Sequence, residues 1–251
     1  IDLTAPSLDM ASPRVDGFTN DATPEIWLRT LDAASGVDPG SIRVYLLPQD
    51  ASGVEADITP LLNVGAADTR GEFLVPLPEG THRLRATARD VAGNEGEVTV
   101  GFVVDTSAPL VAIDQPQSDT FLNTAEPTIV LLFSDERSGI AADLTQVKVD
   151  GIERTASLTL TPTGATLALS SALGLSLSDG PHQVEVRVVD NAGNAMEATP
   201  VNFGVDTAAP TAAITSPVAG YDVEPYSPSN TDANVTPPVV VFHSEPLPAA
   251  T

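Results

Sequence analysis

Short runs of alternating apolar and polar residues, broken by clusters of Gly, Pro, Asp and Asn, make up most of the chain. Ile42–Leu46 and Val147–Val149 alternate, and His82–Arg89 and Gln183–Val188 do so more cleanly. A period of two marks a half-buried strand, because successive side chains point to opposite faces. Leu84, Ala86 and Ala88 are therefore expected to face inward in one strand, and Val184, Val186 and Val188 in another. Arg83, Arg85, Glu185 and Arg187 are expected to face water. Val98–Val104 reads as a further strand. About seven such runs in roughly 100 residues, separated by turn residues, predict an all-β fold of antiparallel two-sheet sandwiches. Ser170–Leu175 has room for one helical turn, which Gly174 would end.

The pattern repeats. Ile1-Asp-Leu-Thr-Ala-Pro6 returns as Val104-Asp-Thr-Ser-Ala-Pro109 and as Val205-Asp-Thr-Ala-Ala-Pro210. Asp90-Val-Ala-Gly-Asn94 returns as Asp190-Asn-Ala-Gly-Asn194, and Pro78-Glu-Gly-Thr-His82 as Ser178-Asp-Gly-Pro-His182. Ser35-Gly-Val37 matches Ser138-Gly-Ile140, and Asn20-Asp-Ala-Thr-Pro24 matches Asn123-Thr-Ala-Glu-Pro127. Five ordered matches define repeats over 1–105 and 106–206, with a partial third unit over 207–251 that carries a Pro/Ser/Asn-rich insertion at 216–238. Ile1 aligns with the last residue of a repeat's final run, and the third unit stops before its closing motifs, so both ends read as cut from a longer chain.

This ordered set of motifs resembles the bacterial immunoglobulin-like repeats of large surface proteins and adhesins. The resemblance covers residues 1–206 well and 207–251 in part. It implies tandem immunoglobulin-like β-sandwiches, a structural or adhesive role, and a place outside the cell on the bacterial surface. Partners implied are the other repeats of the same chain and a surface protein or glycan ligand. The Cys pair and strand-C Trp of antibody domains are missing, so aliphatic packing alone must hold the core. Such repeats also occur as accessory regions of secreted hydrolases, and a sheath or fibre subunit using strand complementation is a further alternative.

Charge narrows the choice of partner. Asp and Glu total 34 against 11 Lys and Arg, a formal charge of −23 that repels nucleic acid and anionic membranes. Without Cys there is no disulfide, thiolate zinc site or thiol nucleophile. No apolar run approaches the roughly 18 residues of a membrane span, so no membrane insertion is expected in this segment. No nucleophile elbow, phosphate loop or dinucleotide fingerprint occurs. Asp135 and Glu136 are adjacent acids of the kind glycosidases use, but exposed acids abound here and the chain is read as non-enzymatic.

Antiparallel connectivity gathers the acids. In a seven-strand sandwich the incoming segment, the loop after the second strand and the loop after the sixth lie at one pole. That places Asp2, Asp32, Asp90 and Asn94 together in the first repeat, and Asp105, Asp135, Glu136, Asp190 and Asn194 in the second. Converging carboxylates without Lys or Arg repel unless a cation sits among them, and hard oxygen donors suit Ca2+. The other reading is turn chemistry alone: Asp caps the hairpin and Gly supplies a positive φ. Both stay open at this point. Calcium would tie each linker to its loops and stiffen the array.

The remaining candidates are weaker. His82 and His182 precede inward-facing residues, where antibody-type sandwiches carry a corner Tyr, and read as structural. Trp27 should lie opposite Ile26 and Leu28, covered by a neighbouring loop, with a sugar-stacking platform as the alternative. Tyr221 and Tyr226 lie in the insertion, and Asn234-Val-Thr236 is an uninformative glycosylation sequon.

Overall fold

The structure, a computed structural model, describes residues 1–49, 53–161 and 163–212. Nearly all of the third repeat, including Tyr221, Tyr226 and the sequon, lies outside the described residues.

The chain is all-β and forms tandem immunoglobulin-like sandwiches. The first contains β1 (Ser7–Ser12), β2 (Gly17–Thr19), β3 (Glu25–Leu31), β4 (Val37–Leu46), β5 (Ala56–Asp57), β6 (Leu62–Asn63), β7 (Asp68–Glu72), β8 (Gly80–Asp90) and β9 (Glu95–Val104). Its sheets run in the order β1-β3-β7-β6 and β2-β9-β8-β4-β5. The second contains β10 (Leu110–Gln115), β11 (Phe121–Leu122), β12 (Thr128–Ser134), β13 (Gln146–Val149), β14 (Ile152–Glu153), β15 (Thr159–Thr161), β16 (Gly164–Ala168), β17 (Gly180–Val189), β18 (Ala195–Glu197) and β19 (Val201–Val205). Its sheets run β10-β12-β16-β15 and β11-β19-β17-β13-β14, with β18 also on β17.

The segments outnumber the seven predicted strands because edges are divided. The opening strand pairs first with β3, shifts register between Met10 and Ser12, and then joins the other sheet as β2, parallel to β9. A bulge of this kind bends a strand, which lets one segment serve both sheets. The same shift falls between Ile113 and Gln115 in the second unit. Ser171–Leu173 forms a single 3-10 turn, ended by Gly174 at φ 67°.

Alternation decides what is buried. Leu84, Ala86 and Ala88 are all within 1 % of complete burial, and Val184, Val186 and Val188 also face inward. Each large aliphatic side chain so removed from water contributes about 1.5–3 kcal/mol before the entropy of ordering it is counted. Two hydrophobic clusters result, one around Ile26, Leu84 and Phe102, the other around Leu131, Leu167 and Phe203, and they share no residue.

The two histidines close the corners. His82 Nε2 lies 2.7 Å from the Pro78 carbonyl and His182 Nε2 lies 2.8 Å from that of Ser178. A carbonyl only accepts, so each ring nitrogen donates. Each ring also rests 5.6 Å from a core Phe, Phe102 or Phe203. His182 Nδ1 adds a contact of 2.8 Å to Asp150.

Trp27 does lie opposite Ile26 and Leu28, and among the described residues it is strand side chains that cover it. The Arg70 and Arg29 guanidinium groups lie over its ring, 3.7 and 4.3 Å from the centroid, and its indole nitrogen donates to Asp68 at 2.6 Å. The cause is register: Arg70 on β7 stands directly across from Trp27 on β3. Arginine stacks well on an indole face.

Candidate functional site

At one pole of the first sandwich, carboxylate oxygens of Asp2, Asp32 and Asp90 lie within 4.8 Å of one another. Asp105, Asp135 and Asp190 form the same cluster on the second. Three elements build each cluster: the incoming linker, the loop after β3 or β12, and the hairpin that begins at the last residue of β8 or just after β17.

Local hydrogen bonds fix the acids. Asp90 Oδ1 accepts from the Asn94 amide at 2.8 Å, and Oδ2 from the Asn94 side chain at 2.7 Å. The Asn94 side-chain amide also donates to the Asp2 carbonyl at 3.2 Å, joining linker to hairpin. The second unit matches: Asp190 accepts from the Gly193 and Asn194 amides and from the Asn194 side chain, which also reaches the Asp105 carbonyl at 2.8 Å. Gly93 and Gly193 sit at φ 96° and 100°, a conformation these hairpins need and a side chain would strain. Asp2 accepts from the Ser35 amide at 3.0 Å, and Asp105 from that of Ser138 at 3.0 Å. Asp32 and Asp135 accept from the Gly36 and Gly139 amides.

The electrostatics are one-sided. Among the described residues, none of the six carboxylates pairs with a Lys, Arg or His side chain. Burial works against ionisation of Asp90, but the bonds from the Asn94 side chain and the Asn94 and Gly93 amides outweigh it and hold its carboxyl below the ordinary value. On the loop after β3 the Ser35 hydroxyl oxygen is buried without a full hydrogen bond among the described residues, although it lies close enough to Asp90 to favour the ionised form. Asn94 and Asn194 serve as clamps through their nitrogens. Glu136 is exposed and stands outside the three-acid cluster.

One contributor was missed in the sequence. Glu79, in the loop before β8, accepts from the Thr106 and Ser107 hydroxyls at 2.6 and 2.9 Å and pairs with Arg137 Nε at 2.8 Å. It joins the first sandwich to the linker and to the loop that carries Asp135. Asp179 repeats the linker half of this brace, accepting from the Thr207 amide and hydroxyl. The available signal was an acid at the same place in Pro78-Glu-Gly-Thr-His82 and Ser178-Asp-Gly-Pro-His182. Hydrogen bonds from Thr106 and Ser107, then Arg137, hold the Glu79 carboxyl below its ordinary value despite desolvation. A depressed folded value means the brace contributes fully above the unfolded carboxylate range and is lost as pH falls through the folded value. Glu79→Gln is expected to broaden the distance distribution between spin labels on the two sandwiches at neutral pH. Wild type should follow only under acid. An unchanged distribution would remove the brace.

The sandwiches have immunoglobulin-like topology, each with a first strand shared between two sheets. Residues 114–207 match the model of the Bacterial Ig-like domain family, so the second repeat resembles that family over nearly its whole length. No curated protein matches the chain. Solved structures similar to it include the fibronectin(III)-like modules of Clostridium thermocellum CbhA, 17% identical over 79% of this chain and 93% of that one, with a TM-score of 0.47. The tetra-tandem repeat in the extending region of a large adhesion protein is 18% identical over 81% of this chain and 50% of that one, with a TM-score of 0.34. The D00-D0 domain of Intimin is 14% identical over 79% and 98%, with a TM-score of 0.32.

Proposed function

We propose that this chain is a non-enzymatic segment of an extracellular bacterial surface protein, serving as stalk or adhesive surface and stiffened by Ca2+ at its junctions. In this reading the repeats span 1–105 and 106–206, and a third begins at 207. The family match supports the repeat class. The observation that carries the calcium assignment is duplication: the same three-carboxylate cluster, with no basic partner among the described residues, stands at the start of two successive sandwiches.

The donor set fits the ion. Calcium takes oxygen ligands at about 2.3–2.6 Å, so ligands on opposite sides of one ion are about 4.6–5.2 Å apart. A mutual separation within 4.8 Å suits oxygens sharing such an ion. Asp2, Asp32 and Asp90 would hold it in the first unit, and Asp105, Asp135 and Asp190 in the second. Asn94 and Asn194 would keep linker and hairpin in place around it. Bound calcium would supply the positive charge each cluster lacks. Neither His nor Cys contributes, which disfavours zinc.

Calcium titration followed by thermal melting and small-angle scattering tests this. Saturating Ca2+ is expected to raise the melting temperature by about 10 °C or more, because a ligand at 100 times its Kd adds about 2.7 kcal/mol and each kcal/mol moves a domain of this size by roughly 4–8 °C. The maximum dimension should rise or sharpen as well. Identical curves in calcium and in chelator would leave turn-shaping as the whole role of these acids.

A further inference from the structure

The two sandwiches share a fold but differ in the outer face of one sheet. On the first, the outward positions of β1, β3 and β7 include Asp9, Glu25, Arg29, Asp68, Arg70 and Glu72, all exposed. The equivalent face of the second carries Leu110, Ala112 and Asp114 on β10, Thr128, Val130, Leu132 and Ser134 on β12, and Thr166 and Ala168 on β16. Strand pairing makes this surface continuous: Ala112 stands across from Leu132, Val130 across from Thr166, and Thr128 across from Ala168. Thr159 on β15 extends it beside Thr166. Asp114 is the one charged residue among these outward positions, in a chain of net charge −23. Leu110 and Leu132 are 68 % and 49 % exposed there, and with Met196 they line a shallow hollow at the β10 side.

Charge decides the occupant. A strongly acidic protein meets a basic partner best by keeping its acids at the contact, since opposite charges speed and orient docking. Removing charge from one face favours a partner of the same sign, for which like charges in contact would cost several kcal/mol. A second copy of the chain is a partner of like sign. From the bare face we infer that it is a self-association surface, through which two copies of this chain pack the β10-β12-β16-β15 sheets against each other about a two-fold axis. Such a contact is isologous, so each copy contributes Leu132, Val130 and Thr166. The face measures roughly 14–19 Å by 20 Å from strand spacing and rise, or about 300–400 Å² per copy. That is below the roughly 800 Å² per partner of a standard interface, so the pair is weak and concentration-dependent. It does not rest on the calcium reading.

Sedimentation equilibrium in EDTA, across protein concentration and NaCl, tests the inference. The wild-type chain is expected to dimerise more strongly as salt rises, because salt screens repulsion between acidic copies while leaving the uncharged contact intact. Docking through opposite charges would show the reverse dependence. Leu132→Lys should weaken the dimer at least about tenfold by setting like charges across the axis. Leu31→Lys, the same charge change on the matching face of the first sandwich, should leave it unchanged. Thr166→Lys repeats the test if the first variant folds poorly. A monomer at every salt and concentration overturns the inference, as does a Leu132→Lys or Thr166→Lys chain that is folded and dimerises like wild type.

Discussion

Asp105→Asn is expected to raise the melting temperature of the second sandwich in chelator and to lower it in saturating calcium. Asp105 is fully buried, and its carboxylate accepts from the Ser107 and Ser138 amides at 3.2 and 3.0 Å. Asn keeps the shape and one acceptor oxygen but turns a donor toward one of those amides, a loss of about 1–3 kcal/mol. Against this stands relief of repulsion. With carboxylate oxygens of Asp135 and Asp190 within 4.8 Å, each pair of charges costs roughly 3 kcal/mol at an effective dielectric near 20 and about 1 kcal/mol if water dominates. Two pairs give about 2–7 kcal/mol, which exceeds the lost bond over most of that range. Under the proposed function the sign is expected to reverse in calcium, because the same carboxylate would be a ligand and its removal would weaken the site. Asp2→Asn should behave alike in the first sandwich. Calorimetry of both variants in EDTA and in millimolar Ca2+ decides the matter. An equal drop in both buffers would mean that the acids only shape turns.

Much of this geometry is legible in the sequence. Period-two alternation placed Leu84, Ala86 and Ala88 inside because a strand has only two faces. The meeting of Asp2, Asp32 and Asp90 followed from antiparallel connectivity, which brings alternate loops to one pole however the strands pair in detail. What escaped depended on register between distant strands. Trp27 meets Arg70 only because β3 and β7 pair where they do, 43 positions apart in the chain. Asp150 reaches the His182 ring from the turn after β13, a contact no local pattern announces. Glu79 was invisible for another reason: its partners lie in the linker and in the next sandwich, and a reading of one repeat at a time does not look across the junction. The bare face of the second sandwich was hidden in the same way, since its Thr, Ala, Leu and Val positions become one surface only after β10, β12 and β16 are set side by side.

Phe102→Ala is expected to separate the unfolding of the two sandwiches. Phe102 is 1 % exposed and packs at the base of the first core beside the His82 ring. Truncating a buried Phe costs about 3–5 kcal/mol, the sum of lost transfer energy and the cavity left behind. That is a large fraction of the 5–15 kcal/mol that typically holds a domain folded. The two cores share no residue, so the loss should stay within the first. The chain carries its own reporter: Trp27, the single Trp, belongs to the first sandwich. In urea, its fluorescence midpoint should move to lower denaturant in the variant, while far-UV circular dichroism resolves a second transition at the wild-type position. Leu167→Ala, fully buried in the other core, should shift the dichroism alone and leave the Trp27 transition in place. If both probes moved together in either variant, the sandwiches would be one cooperative unit, and an array of modules in series would no longer describe the molecule.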